Sequence, residues 1–478
     1  MTVKLNIVSD LQKLIGKKYV SGSVFERVAY GQDAIAADLP VENIPIAVTK
    51  PNSNEDVSKI FRYANNNKIP VYLHGSGTSF KGAARPKRSE SIIVDTGNFD
   101  LLEINEDDYY FEVGAGVNQY DLEIFLEKKG FLLPMNVGSK HGSTIGGAVS
   151  VNTIGHMVDS CIGKIIDYVM GVEVVLPNGN IIETGTKSIR RPAGIDLTRF
   201  FVGSEGLFGL ITKMRIRLVP MPKKAYVAGF FSKPEEIAHA FMKIYKDGLP
   251  APLYGELLGQ NTAAAAFKER GLGEPPGDLA IATTIAFSQD EANRQANEIV
   301  KVFQDQNAIK AYVVESTEEQ VALWDARDFI TNRLQKQEGQ PRKLRAGGFE
   351  VGVPLSRLAD FFTYIKSGPP GYPALSENEV MFYGHVGASG PHVSWTVPED
   401  TPAEKRIQSI KEARRLEKEF TVKWEGIGGE VGQTASRISA WREKYGEDAY
   451  GLLSLLKTTL DPNNILNTGN LEGEGYED

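Results

Sequence analysis

The stretches HGSGTSFKGA at residues 74–83 and GSKHGSTIGGAVSVNTIG at residues 138–155 decide how this chain is read. Glycine has no Cβ, so a backbone rich in it brings several N–H groups close to one anion and takes angles that other residues resist. A single Gly-Ser-Gly string also occurs in ordinary turns. Two such loops in one half of the chain, each placed where a strand is expected to end, point to the pyrophosphate of a bound dinucleotide.

Working outward, PIAVTKP from residue 45 reads as a strand and SNEDVSKIFRYANNN as a helix. Ser53 is its expected cap, Glu55 and Asp56 fall in its first turn, and Val57, Ile60, Phe61 and Ala64 face inward. PVYLHG then runs as a strand into the first loop. SIIVDT and YYFEVGAGV read as further strands, and NQYDLEIFLEKKG as a helix stopped by Gly130. YVMGVEVVLPNGNIIET alternates apolar and polar positions about Asn178-Gly179, a hairpin signal. A nicotinamide-type domain needs strand, GxGxxG, helix and a downstream acid in one unit. Here the strands are expected to pair locally, which disfavours that domain.

The prolines of VPMPKK at 219–224 suggest a boundary. Beyond them AYVAGFF, LAIATTIAF, GGFEVGVP, VMFYGHV and PHVSWTV alternate with helix-like stretches near 234–247, 288–306, 317–336 and 401–423, an order that suggests an antiparallel sheet covered by helices. The expected domains are 1–220, 221–425 and a C-terminal segment, 426–478, returning to the first.

With 478 residues, 53 basic against 61 acidic groups and a net charge of −8, the chain has ample core, and its charge does not favour nucleic acid as a partner. The single cysteine, Cys161, excludes an internal disulfide and cannot hold an iron–sulfur cluster, which usually takes four thiolates. Neither a cleavable leader nor a run of about 18 apolar residues is found, so a cytoplasmic location is expected, with peripheral contact at the inner face of a membrane left open.

Two constellations in the second half carry chemistry. YGHVGASGPH puts His385 and His392 on what reads as a hairpin, and Glu430 in GGEVGQ adds a carboxylate; two imidazoles and one acid suit a divalent ion such as zinc, although paired histidines in hairpins also serve structure. In WDARDFIT, Arg327 and Thr331 are one helical turn apart. A guanidinium grips a carboxylate through two parallel hydrogen bonds; the plainer reading is a surface pair with Asp325 or Asp328. Arg342 and Arg345 form a further cationic cluster.

IPVYLHGSGTSFKGA, GSTIGGAVSVN, GVEVVLPNG, FVGSEGLFGLIT, YGHVGASGPH, GGEVGQ and LDPNNILNTGN follow one another in family order. In this the chain resembles the FAD-dependent oxidoreductases of the vanillyl-alcohol oxidase (PCMH-type) fold, in particular the branch with the glycolate oxidase catalytic subunit and the FAD-linked D-lactate and D-2-hydroxyglutarate dehydrogenases. The resemblance implies an α+β architecture: a two-part PCMH-type FAD-binding domain and a cap domain whose antiparallel sheet is covered by helices. It implies that FAD is held by His74, Gly75, Ser76, Gly77, Thr78, Ser79, Pro134, Gly138, Ser143, Thr144, Gly146, Gly147, Asn152, Gly155, Gly203, Ser204, Glu205, Gly206, Ile211 and Asn467. A histidine that tethers FAD in some relatives belongs nearer Thr78 than His74, so noncovalent FAD is expected.

The same resemblance makes His385, His392 and Glu430 metal ligands and places Arg327 and Thr331 in the substrate site, with the substrate carboxylate on Arg327. This chain departs from the pattern at Val431, where a histidine general base is usual, at the ASGP turn, and at Gly348, where a lysine is frequent. The implied reaction is oxidation of a 2-hydroxy acid such as D-lactate or glycolate by hydride transfer to flavin N5, with metal coordination of the hydroxyl easing the need for a strong base. His385, His392 or His141 is then left to take the proton. Electrons pass to an external acceptor: oxygen, a quinone, a cytochrome, an electron-transferring flavoprotein or a separate iron–sulfur subunit. A homodimer is common among relatives. Two rivals share the fold: a non-redox flavoenzyme like alkyldihydroxyacetonephosphate synthase, and an electron-transfer subunit that no longer oxidises a substrate.

Overall fold

The structure is a computed structural model that describes residues 6–32, 43–79, 82–153, 155–159, 162–189, 194–328, 343–428 and 437–473. The chain divides into two compact units, one of residues 1–154, 164–221 and 431–477, the other of residues 155–163 and 222–430.

The first unit holds two sheets. In one, β1 (Val20–Ser21), β2 (Ala47–Thr49), β3 (Val71–His74) and β4 (Ile92–Asp95) lie in the order β1-β2-β4-β3. Here the expectation of local pairing fails, because β2 and β3 both run parallel to β4. The helix Asn54–Asn67 is the crossover between β2 and β3, capped by Ser53, whose side chain accepts the Asp56 N–H. It buries Val57, Ile60, Phe61 and Ala64 against Val71, Ile92 and Val94. The strands themselves are buried along both faces, as in the unbroken IIVD of β4, which is the habit of parallel strands rather than of half-exposed hairpins. No helix follows the first glycine loop directly among the described residues, so the unit still lacks the strand-glycines-helix order of a nicotinamide site.

In the other sheet, β5 (Leu102–Asn105), β6 (Tyr110–Gly114), β7 (Val169–Val175), β8 (Ile181–Glu183) and β9 (Leu210–Arg217) are all antiparallel, in the order β5-β6-β9-β7-β8. The β7–β8 hairpin turns at Gly179, with φ +82°, as Asn178-Gly179 predicts. The second glycine loop corrects a further expectation: it follows the helix Gln119–Lys128 and an irregular stretch, not a strand, and itself starts a short helix, Ile145–Ser150. From residue 465 to 467 the chain runs beside β3: Val71 N–H donates to Ile465, and the Val71 carbonyl accepts from Asn467.

The second unit is one antiparallel sheet of β10 (Lys223–Phe231), β11 (Tyr254–Leu258), β12 (Asp278–Ala286), β13 (Lys310–Val314), β14 (Lys343–Gly352), β15 (Val380–His385), β16 (Gly390–Pro398) and β17 (Ile427–Gly428), in the order β13-β10-β12-β11-β15-β16-β14-β17. Helices cover it, in keeping with the α+β reading. On one face Leu257, Phe349, Phe382, Val393 and Trp395 pack with apolar residues of the helices Pro234–Lys246, Gln289–Asp305, Leu358–Lys366 and Ala403–Lys423. On the other, Leu258, Met381 and Tyr383 meet Phe267 and Leu323 from the helices Gln260–Arg270 and Thr317–Asp328. Side chains alternate along a strand, so Glu256 shares the face of Leu258, and His385 that of Tyr383.

Candidate active site

In the first unit the two glycine loops meet. A Cβ added to Gly75 of the first would lie 2.6 Å from Thr144 Oγ1 of the second, so only glycine permits the approach. Thr78 Oγ and Ser143 Oγ hydrogen-bond at 2.9 Å, and Ser143 Oγ also donates to the Ser139 carbonyl. Gly146 is pressed on the chain beside it, where a Cβ would come within 2.6 Å of the Ala115 carbonyl. Gly77 has φ +67°. Thr144 caps the short helix by accepting the Gly147 N–H at 3.4 Å, and Ser76 and Ser79 complete the first loop.

Three further segments close on this cradle. Glu205 N–H donates to Ser150, Gly203 N–H to Val149, and Glu205, Gly206 and Asn152 all take left-handed φ. Asn467 is a clasp: its Oδ1 accepts Leu73 N–H at 3.0 Å and its Nδ2 donates to the Glu205 carbonyl at 2.7 Å. Ile211 is buried on β9, and Pro134 and Gly138 lie on the stretch leading to the second loop. Asn152 Oδ1 is buried with no hydrogen-bond partner among the described residues, an acceptor waiting for a donor. These features fit a dinucleotide cofactor: N–H groups and hydroxyls from two closely packed loops suit its diphosphate, and the Asn152 acceptor suits a donor elsewhere on it.

His74 is set back from this cradle. It is buried, its Nδ1 hydrogen-bonds to the Gly75 carbonyl at 2.9 Å, and its ring lies edge-on to Tyr30. Burial pushes its pKa below the ordinary imidazole value. The Tyr30 hydroxyl donates to Asp95, and burial followed by that carboxylate drives the phenol far above its usual range. His141, a candidate proton acceptor, packs against the Tyr120 ring.

The second unit gathers a buried charged group. Strand register sets it: Glu256 on β11 stands opposite His385 on β15, Tyr383 opposite His392 on β16, and His392 opposite Glu350 on β14. Glu256 has no exposed surface. Its Oε1 accepts from His385 Nδ1 at 2.8 Å and from His156 Nδ1 at 3.1 Å, and its Oε2 from Arg327 Nε at 2.5 Å. Burial opposes the charge on Glu256, but the Arg327 guanidinium and the two imidazoles outweigh it and hold the carboxyl well below the usual carboxylate range. Arg327 therefore departs from the surface alternative, since it is buried and its Nε donates to Glu256 Oε2.

The expected histidine pair is brought together, with ring centroids 5.4 Å apart. His392 stacks on Tyr383 at 4.9 Å and fills the space a Cβ at Gly384 would need, and its Nδ1 is 3.7 Å from Glu350. Thr331, Arg342, Glu430, Val431 and Cys161 lie outside the described residues, as does the side chain of Arg345. Gly155 belongs with the second unit, next to His156.

Sequence reading missed two members of this group. Glu256 lies in YGELL, a strand not assigned from sequence, where a lone acid among strand-forming residues was the available signal. His156 directly follows the second loop, but its partner is 100 positions away, and no local pattern reveals that.

Residues 221–471 match the family described as FAD linked oxidases, C-terminal domain, and residues 45–185 match that described as FAD binding domain. The chain belongs to the FAD-linked oxidases. This FAD-linked oxidase is 27% identical over 479 residues to the glycolate oxidase subunit GlcD of Bacillus subtilis (strain 168), covering 98% of this chain and 96% of the relative. It is 28% identical over 437 residues to a D-lactate dehydrogenase of Archaeoglobus fulgidus, covering 91% of this chain and 93% of that one. In fold it is similar to p-cresol methylhydroxylase with substrate bound, with a TM-score of 0.76 at 18% identity over 98% of this chain and 97% of the other. The PCMH-type α+β fold expected from the sequence is thus the fold observed, and the chain is an FAD-linked oxidoreductase.

Proposed function

We propose that this FAD-linked oxidoreductase oxidises a 2-hydroxy acid of the D-lactate or glycolate type and passes the electrons to an external acceptor. The observation that carries the reading is the buried Arg327–Glu256–His385–His156 group, a cationic and imidazole-rich cluster in a chain similar along its length to a glycolate oxidase subunit and a D-lactate dehydrogenase.

FAD, when bound, supplies the hydride acceptor. Gly75, Gly77, Thr78, Ser143, Thr144 and Gly147 would hold its diphosphate through N–H groups and hydroxyls, with Asn152 Oδ1 accepting from a donor on the cofactor. The cofactor is held noncovalently, since His74 is buried behind the loop with its Nδ1 on the Gly75 carbonyl.

Arg327 binds the substrate carboxylate. A guanidinium has five N–H donors, and Glu256 engages its Nε edge, which fixes the plane of the fork. That anchoring is what turns a flexible cation into an orienting one, because the side chain no longer has rotamers to lose on binding. The imidazoles of His385 and His156 are oriented by the same carboxylate, and beside a bound hydroxy acid they would take or share its hydroxyl proton.

The test is anaerobic titration of the FAD-loaded protein with D-lactate, glycolate and D-2-hydroxyglutarate, following the flavin absorption. Bleaching by at least one of them is expected, with little peroxide formed when air is admitted. A flavin that stays oxidised with every 2-hydroxy acid overturns the reading.

A further inference from the structure

The helix Glu447–Leu460 has its polarity reversed. Among its described residues Lys457 alone is buried, while Leu452 and Leu455 stand exposed. Taking a lysine out of water is costly unless its charge and its N–H groups are matched. Lys457 Nζ donates to the Leu207 carbonyl at 3.0 Å, to the Leu466 carbonyl at 2.8 Å and to Asp461 Oδ2 at 2.5 Å, which engages all three of its donors. Asp461 is itself buried and also accepts the N–H groups of Ile465 and Leu466, both at 2.9 Å. Support of the helix does not explain the pair, because at i,i+4 the order with the cation first is the weaker one.

Both carbonyls belong to segments that back the cofactor cradle. Leu207 ends a turn in which Glu205, at φ +54°, and Gly206, at φ +69°, are left-handed in succession, a conformation that a glutamate adopts at a cost. Asn467 holds the Glu205 carbonyl and Lys457 the Leu207 carbonyl, so Gly206 lies between two fixed points. The same turn donates the Gly203 and Glu205 N–H groups to Val149 and Ser150, at the end of the short helix that the second glycine loop starts. Leu466 precedes Asn467, whose Oδ1 accepts the Leu73 N–H just before the first glycine loop.

We propose that Lys457 is a positioning residue of the FAD site, one ammonium whose bonds to the Leu207 and Leu466 carbonyls hold the backing of both glycine loops. A backbone cradle binds well when its N–H groups are set before the cofactor arrives, since less order is then lost on binding. With its own donors engaged, Lys457 acts through the backbone and not on the cofactor. The inference rests on the cradle as the place of FAD, and not on the identity of the substrate.

The test uses full-length, FAD-loaded protein diluted into buffer, with FAD release read by its fluorescence and stability by urea unfolding. Lys457→Met alone strands the Asp461 carboxylate, so the decisive variant combines it with Asp461→Asn; replacing a buried ion pair by neutral groups of similar size is often harmless to stability. In this double variant the unfolding midpoint recovers relative to Lys457→Met, yet FAD leaves faster than from the wild type by roughly tenfold or more, about what one hydrogen bond to a charged group contributes. Arg215→Met is the control: it breaks a buried ion pair with Glu112 and Glu183 in the same unit, outside both held segments. Its release rate stays within about twofold of the wild type, as expected of a separate site. With FAD in excess, the visible circular dichroism of the bound flavin changes in the double variant and keeps its wild-type form in Arg215→Met. Wild-type release or a wild-type flavin spectrum in the double variant, or equal acceleration by Arg215→Met, overturns the proposal. Full flavin content in Gly146→Val would instead count against the cradle itself, so the two readings fail separately.

Discussion

The cradle of the first unit and the charged cluster of the second solve opposite problems. The cradle is made of backbone: Gly75, Gly77 and Gly146 are chosen for the Cβ they lack, and the groups they free are neutral dipoles. The cluster is made of side chains: Glu256, Arg327, His156 and His385 are ionisable or strongly polar, and each is buried only because the others are there. A backbone site is fixed by local conformation and survives changes of charge around it. A side-chain site depends on distant residues agreeing, so the loss of one member strands the rest.

Glu256→Gln is the sharpest way to break that contrast. It leaves Arg327 and two imidazoles facing a neutral amide, and removing one partner of a buried ion pair costs about 3–5 kcal/mol. Urea unfolding should show a loss of that order, together with loss of turnover, and an unaltered unfolding curve would mean the cluster is not held by charge. The pH dependence has a defined sign. Because the folded-state pKa of Glu256 lies well below the ordinary glutamate value, its contribution to stability is complete above that ordinary value and is lost as pH falls from there toward the folded pKa. In Glu256→Gln the acid-side slope of the unfolding free energy should flatten.

Gly146→Val tests the opposite side. Its Cβ would meet Ala115 backbone at 2.6–2.7 Å, atoms that cannot swing away. The expected result is protein purified with less than about a tenth of its flavin, since a displaced loop forfeits at least ~1.4 kcal/mol of cofactor binding. Flavin content at the wild-type level would show that the loop tolerates displacement and that the cradle is not defined by backbone alone. Asn467→Ala is milder: it strands the Leu73 N–H and the Glu205 carbonyl, costing about 1–3 kcal/mol, read as a lower melting temperature that added FAD partly restores.

The same contrast explains what could be read from the sequence. The crossover helix was legible because Ser53, Glu55 and the Val57–Ile60–Phe61–Ala64 stripe are all local signals, and the β7–β8 hairpin because Asn178-Gly179 specifies its own turn. The parallel pairing of β2, β3 and β4 was not, since a short buried strand looks alike in either sense. Gly75 and Thr144 announced themselves by residue type. Glu256 and His156 did not, because what brings them together is a meeting of β11 with β15 and of one turn with both, set by register across the sheet.

The clasp at Asn467 also orders events in time. Its partner Leu73 lies 394 positions earlier, and Val71 hydrogen-bonds to Ile465 and Asn467 along the same edge. A ribosome delivers the β3 edge long before it delivers the residues that seal it, whereas β10 to β17 emerge as one unbroken stretch. The β3 edge therefore stays unsealed through most of the chain's synthesis, until residues 465–467 arrive to pair with it.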